Sequence, residues 1–144
     1  MTLVELLVVL GIIGLIVGIS VPPLARYAKQ IRLKAATREV VGLLSLARSL
    51  AISSHEDHAV VIDSEDQQLR VVNVSSGEAL EQTVRFPSSV SIAVEVAGEP
   101  SAENQLVFRP SGSLASRTTS LVLADGQHRH VITVTGTTGA ITVH

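Results

Sequence analysis

The chain has no cysteine and no tryptophan, and its aromatic side chains are limited to Tyr27, Phe86 and Phe108. Without cysteine there is neither a disulfide scaffold nor a thiolate metal site. With so few rings, the stacking platforms that hold single-stranded nucleic acid are excluded, and the core has to be built from Val, Ile, Leu and Ala. Charge of one sign is also missing: eleven Lys and Arg against thirteen Asp and Glu leave a net charge of −2 over 144 residues. Nothing global therefore points to a polyanionic partner. The average conceals a division, however. Residues 1–54 hold six basic and two acidic side chains, whereas residues 55–144 hold five and eleven. Two parts so different face different surroundings.

The longest feature is itself an absence: Leu6 to Ala25 is twenty residues with no formal charge. As a helix it extends roughly 30 Å, the thickness of a bilayer's hydrocarbon core. A cleaved secretory signal would place Lys or Arg ahead of the run and a small-residue cleavage site behind it, but Glu5 precedes this run and no such site follows. A membrane helix is the expectation. Gly11, Gly14 and Gly18 loosen it, and Gly14-x-x-x-Gly18 permits close approach of a second helix. Pro22 and Pro23 withhold two backbone donors, which predicts a kink or local unwinding near Ile19–Pro22.

Beyond the prolines, Leu33, Ala36, Val40, Leu43, Leu44, Ala47, Leu50 and Ala51 recur at helical steps and form one apolar stripe, opposite Arg32, Lys34, Arg38, Ser45 and Arg48. Arg26, Lys29, Arg32, Lys34 and Arg38 make a basic collar suited to anionic headgroups or to the acidic domain of a neighbouring subunit. After His55 the period changes to short β-branched runs at Ala59–Ile62, Leu69–Val74, Thr83–Phe86, Val90–Val96, Gln105–Arg109, Leu121–Ala124, His130–Thr135 and Ala140–Val143, with turn formers between them. The expected architecture is α+β: a long N-terminal helix whose first half spans the membrane and whose second half packs on an antiparallel sheet. The parts are residues 1–25 (anchor), 26–54 (amphipathic helix) and 55–144 (β-rich head).

Chemistry of the enzymatic kind has no footing. His55-Glu56-Asp57-His58, and His128 with His130, bring ligand-type side chains together, but not at the spacing of a zinc helix. No nucleophile elbow or phosphate-binding glycine loop is present. No catalytic residue, metal or cofactor is expected. Glu5 is the residue that demands an explanation, because a carboxylate in a bilayer helix costs about 2.5–3.5 kcal/mol by insertion and calls for a cationic partner. The α-amino group at Met1 is one; the same amine of a neighbouring copy is another.

Met1-Thr2-Leu3-Val4-Glu5-Leu6 resembles the mature start of the type IV pilin and type II secretion pseudopilin superfamily, in which a methylated residue, commonly Phe, precedes Thr-Leu-x-Glu. Here Met occupies the first place. Ala47-Arg48-Ser49-Leu50-Ala51-Ile52 followed by Ala59-Val60-Val61-Ile62, then Val107-Phe108-Arg109-Pro110-Ser111-Gly112 and Thr138-Gly139, are similar to segments of the pseudopilin H and FimT-like group. The middle, 63–104, matches weakly. The resemblance implies a minor subunit made as a single-pass inner-membrane protein. After a prepilin peptidase acts, it is drawn into a periplasmic or extracellular filament of pilin or pseudopilin subunits by a platform protein and an ATPase. In that scheme Glu5 and Met1 align incoming subunits. A major pilin and a membrane-anchored binding domain that never assembles are the alternatives, together with a DNA-binding minor pilin. DNA-binding members of the group carry an arginine motif near the C-terminus; Gly139-Ala140-Ile141-Thr142 has none, and the domain is acidic, so DNA is not expected as a partner.

Overall fold

The structure, a computed structural model, describes residues 2–63 and 65–144, with the side chains of 19–26 and 81 outside the described set. It divides into two compact units, residues 1–32 and 33–144. One helix, α1 (Leu3–Ser54), runs through both. The assignment of α1 is continuous from Leu3 to Ser54, and the kink or unwinding expected near Ile19–Pro22 falls on residues outside the described set. Among the described residues no helix is long and apolar enough to cross a membrane. The uncharged run continues into 19–26, whose side chains are not described, so its described part is Leu6–Gly18, roughly 20 Å of helix.

In the second unit the stripe read from the sequence is the helix's buried face. Leu33, Val40, Leu44, Ala47 and Ala51 are fully buried. They share one hydrophobic cluster with two antiparallel sheets. The first sheet has the order β3-β2-β1-β6, from β1 (His58–Asp63), β2 (Gln68–Asn73), β3 (Ala79–Arg85) and β6 (Gln105–Phe108). The second has the order β5-β4-β7-β8-β9, from β4 (Ser91–Val96), β5 (Glu99–Ser101), β7 (Thr119–Ala124), β8 (Arg129–Val134) and β9 (Ile141–Val143). Strand alternation sends Val60, Ile62, Leu69, Val71, Leu106 and Phe108 inward from one sheet, and Leu121, Leu123, Ile132 and Val134 from the other. Two of the three aromatics, Phe86 and Phe108, are thus spent on the core.

Two expectations need correction. The turn expected at Gly98–Pro100 contains the short strand β5, paired with β4 through Val96↔Glu99 and Val94↔Ser101. Proline is tolerated in it because β5 is an edge. Arg48, placed on the solvent face by helical periodicity, is instead half-buried and reaches across to two loops, as described below. A polar link also joins helix to sheet. The Thr37 hydroxyl donates to the Leu33 carbonyl at 2.8 Å, so it accepts from His130 Nδ1–H at 3.1 Å.

Helix α1 stops at His55, which takes a left-handed backbone at φ 60°. The β7–β8 hairpin is closed by Asp125, whose Oδ1 accepts from the backbone N–H groups of His128 at 2.7 Å and Gln127 at 3.0 Å. The first of these, then the second, holds the carboxyl below its ordinary value. A depressed folded-state value adds stability above the unfolded pKa, near 4, and loses it as pH falls through the folded value. Asp125→Asn is therefore expected to lower the head's melting temperature at neutral pH and so flatten its acid limb, while leaving the melting temperature in acid little changed.

Candidate functional site

The assembly residues expected from the sequence lie in the first unit. Glu5 is exposed, and its first-turn neighbour explains its local geometry: Glu5 N–H donates to Thr2 Oγ1 at 3.3 Å, and Thr2 N–H donates to Glu5 Oε2 at 3.3 Å. This is a capping box, the reciprocal pairing of an N-cap hydroxyl with an acid three residues on. It satisfies two backbone donors that would otherwise be orphaned at the helix start. The Thr-x-x-Glu signature was legible in the sequence, but Glu5 was read there only as a partner for an amine. Met1, the proposed intrachain partner, lies outside the described residues. Thr2→Ala is expected to fray the first turn at a cost of about 0.5–2 kcal/mol of local helix stability, seen as faster amide exchange at Val4–Leu6 with an unchanged melting temperature for the head.

Around the acid, the first unit exposes its apolar side chains. From Leu3 to Val17 the large aliphatic residues are 49–75% exposed. Gly11, Gly14 and Gly18 are bare as well: a Cβ built on any of them meets nothing within 4 Å. Glycine inside a helix costs roughly 1 kcal/mol against alanine, and among the described residues nothing uses the space those residues leave. Pro22 and Arg26, also singled out from the sequence, have side chains outside the described set. Lys29, Arg32, Lys34 and Arg38 are exposed, and none has an ion pair among the described residues.

The segments quoted for the family resemblance, far apart in sequence, meet in the second unit. Arg48 Nε donates to the Gly112 carbonyl and its Nη2 to the Thr138 carbonyl, each at 3.0 Å. Gly112 and Gly139 are buried, with φ of 78° and 63°. A Cβ on Gly139 would lie 1.9 Å from the Gly112 oxygen, and one on Gly112 would lie 2.9 Å from Ile52 Cδ1. Arginine on the helix thus ties together two glycine turns that pack backbone to backbone. None of the three was singled out as a site residue, because their relation is tertiary. Elsewhere the His55–His58 group forms no metal cluster: among the described residues no three His, Cys, Asp or Glu side chains gather as ligands. His58 is buried, with its Nδ1 3.1 Å from the Glu56 carbonyl, and Glu56 accepts from Asn73.

Residues 36–139 match the family described as Type II transport protein GspH. No curated protein matches the chain. Solved structures share the fold. The type IV minor pilin FimU of Pseudomonas aeruginosa superposes with a TM-score of 0.67 at 18% identity, over 82% of this chain and 92% of that one. The minor pseudopilin EpsH from the Type 2 Secretion System of Vibrio cholerae gives a TM-score of 0.62 at 18% identity, over 78% of this chain and 96% of that one.

Proposed function

Because the chain belongs to the GspH family of type II transport proteins, we propose that it is a minor structural subunit of a pseudopilus or type IV pilus, and that it enters the filament through residues 2–25 of its N-terminal helix. The observation that carries this reading is the uncovered aliphatic surface from Leu3 to Val17. Each such side chain contributes about 1.5–3 kcal/mol when it is fully buried. A helix left this bare is built for a second environment, first the bilayer and then the packed helices of other subunits. The bare glycines support the second of these, since small residues let helix backbones approach. The exposed collar residues Lys29, Arg32, Lys34 and Arg38 suit an anionic membrane surface before assembly. A platform protein and a prepilin peptidase complete the route, and Glu5 with Met1 sets the axial position of each subunit. The role is mechanical, with no reaction catalysed and no cofactor held.

The test is recovery of the chain in sheared or overexpressed filaments. Full-length chain is expected in the filament fraction, and chain lacking residues 1–25 only in the soluble fraction. Equal recovery of both in filaments would end the reading. Within the helix, Gly14→Leu with Gly18→Leu is expected to lower filament incorporation several-fold. The head's melting temperature stays unchanged, because among the described residues, beyond the helix's own neighbouring backbone, no atom lies within 4 Å of either added Cβ.

A further inference from the structure

Two open sheets leave four edges, each a row of backbone groups that another strand can pair with, and among the described residues three of the four are guarded. The outer side of β6 is covered by a loop of the chain itself: Phe108 bridges to Leu114, and Ala115 N–H donates to the Val107 carbonyl at 2.8 Å. Strand β5 sets Glu99 and Pro100 on its edge, a charge and a missing donor. Strand β3 meets β2 with a shift in register between Arg70 and Val72, and it exposes Gln82, Thr83 and Arg85. Irregular pairing and charge spoil that edge as a template.

Strand β9 has none of these devices. Ile141-Thr142-Val143 contains no charge and no proline, and its register with β8 is regular. The pairing continues past both of its ends. Thr135 N–H donates to the Ala140 carbonyl at 2.9 Å, and Val131 and His144 exchange bonds of 3.0 and 2.8 Å. Along an antiparallel strand, backbone groups point alternately toward the partner and away from it. Ala140, Thr142 and His144 therefore face β8, while Ile141 and Val143 turn their N–H and C=O groups outward, about 7 Å apart. Among the described residues those outward groups have no backbone partner. The Ile141 side chain packs against the core and steadies the strand, whereas Val143 on the same face is 49% exposed.

Two donors and two acceptors in line are matched by one kind of ligand, an extended backbone that adds a strand to the sheet. The bare Val143 favours an apolar side chain beside it over a charged one. The strands of a second copy cannot supply this in a filament. With the other edges guarded, a copy could offer only its own β9, and β9 on β9 is a two-fold contact that closes instead of propagating. We propose that β9 is completed by an extended, uncharged segment of a different subunit, which joins the second sheet as a further strand. This rests on the filament reading above and adds to it the kind of neighbour that the head takes.

Amide exchange on the full-length chain, in micelles and in filaments, tests the edge directly. In micelles the Ile141 and Val143 amides are expected to exchange freely, and the Thr142 amide, which faces β8, slowly. In filaments the first two should slow at least tenfold. The partner is read from p-benzoylphenylalanine placed at Thr142: irradiated filaments should give an adduct with a different subunit, attached within an uncharged extended segment. Val143→Pro removes one outward donor and no bond to β8. It is expected to cut that adduct at least tenfold while the head's melting temperature holds. Filaments that contain the chain but leave Ile141 and Val143 exchanging freely overturn the proposal and spare the filament reading. An adduct between two copies of this chain does the same, as does an adduct untouched by Val143→Pro. If Val143→Pro also lowers the melting temperature, the exchange pattern of the unaltered chain decides. A chain never recovered in filaments overturns the filament reading and the proposal with it.

Discussion

Glu5→Gln is expected to remove the chain from filaments as completely as Glu5→Ala, with recovery falling tenfold or more in each. The pair of substitutions separates the two duties of this side chain. Glutamine can complete a capping box, so Gln keeps the reciprocal bonds with Thr2 and an intact first turn, whereas Ala loses half of them. The cap alone is worth about 0.5–2 kcal/mol of local helix stability. Charge is the larger quantity: an ionised carboxylate set among apolar helices costs about 2.5–3.5 kcal/mol unless a cation meets it. In the proposed assembly, pairing with a neighbour's terminal amine would turn that cost into a preference for one axial register, and the amide has no charge with which to express it. Recovery of Glu5→Gln at the wild-type level, with Glu5→Ala depleted, would reduce Glu5 to a helix cap. Amide exchange at Val4–Leu6 verifies that the glutamine variant keeps its first turn.

Periodicity carried the second half of the helix. Leu33, Val40, Leu44 and Ala51 were read as one face and are all fully buried, because helix spacing and burial are the same statement made in one dimension and in three. Among the described residues, seven of the nine strands fall within a residue or two of the runs of β-branched residues. Strand β3 starts earlier than its apolar part, at Ala79, since it lies on an edge, where polar side chains such as Gln82 are not penalised. Strand β5 was read as a turn because Pro100 and Gly98 are turn formers; only the pairing partner β4 makes Glu99–Ser101 a strand. Arg48 illustrates a further loss. A helical wheel assigns it a direction but cannot know that two carbonyls, 64 and 90 residues away, wait there. In the candidate site, the Glu5 motif was visible in full, whereas the emptiness around Gly11, Gly14 and Gly18 required coordinates.

Gly139→Ala carries the largest expected effect on the head. The new Cβ would overlap the Gly112 carbonyl oxygen, at 1.9 Å, and the backbone φ of 63° disfavours any L side chain. Left-handed backbone alone costs about 1–3 kcal/mol for a non-glycine residue. The clash adds to it, because the obstructing atom is a carbonyl already held by Arg48 Nε at 3.0 Å and cannot swing aside without losing that bond. A fall in melting temperature of roughly 10 °C or more follows for a head of this size. Gly126→Ala is the control: its φ is 87°, but nothing lies within 4 Å of the added atom, so only the backbone part of the cost applies. Arg48→Lys tests the same joint from the helix side. An ammonium on a flexible stem is not a planar fork that donates to two carbonyls at once, so lysine should recover little of what Arg48→Ala loses. Should Gly139→Ala melt no lower than Gly126→Ala, the contact between the two glycine turns is not a constraint on the fold, and Arg48 holds nothing that the strands do not already hold.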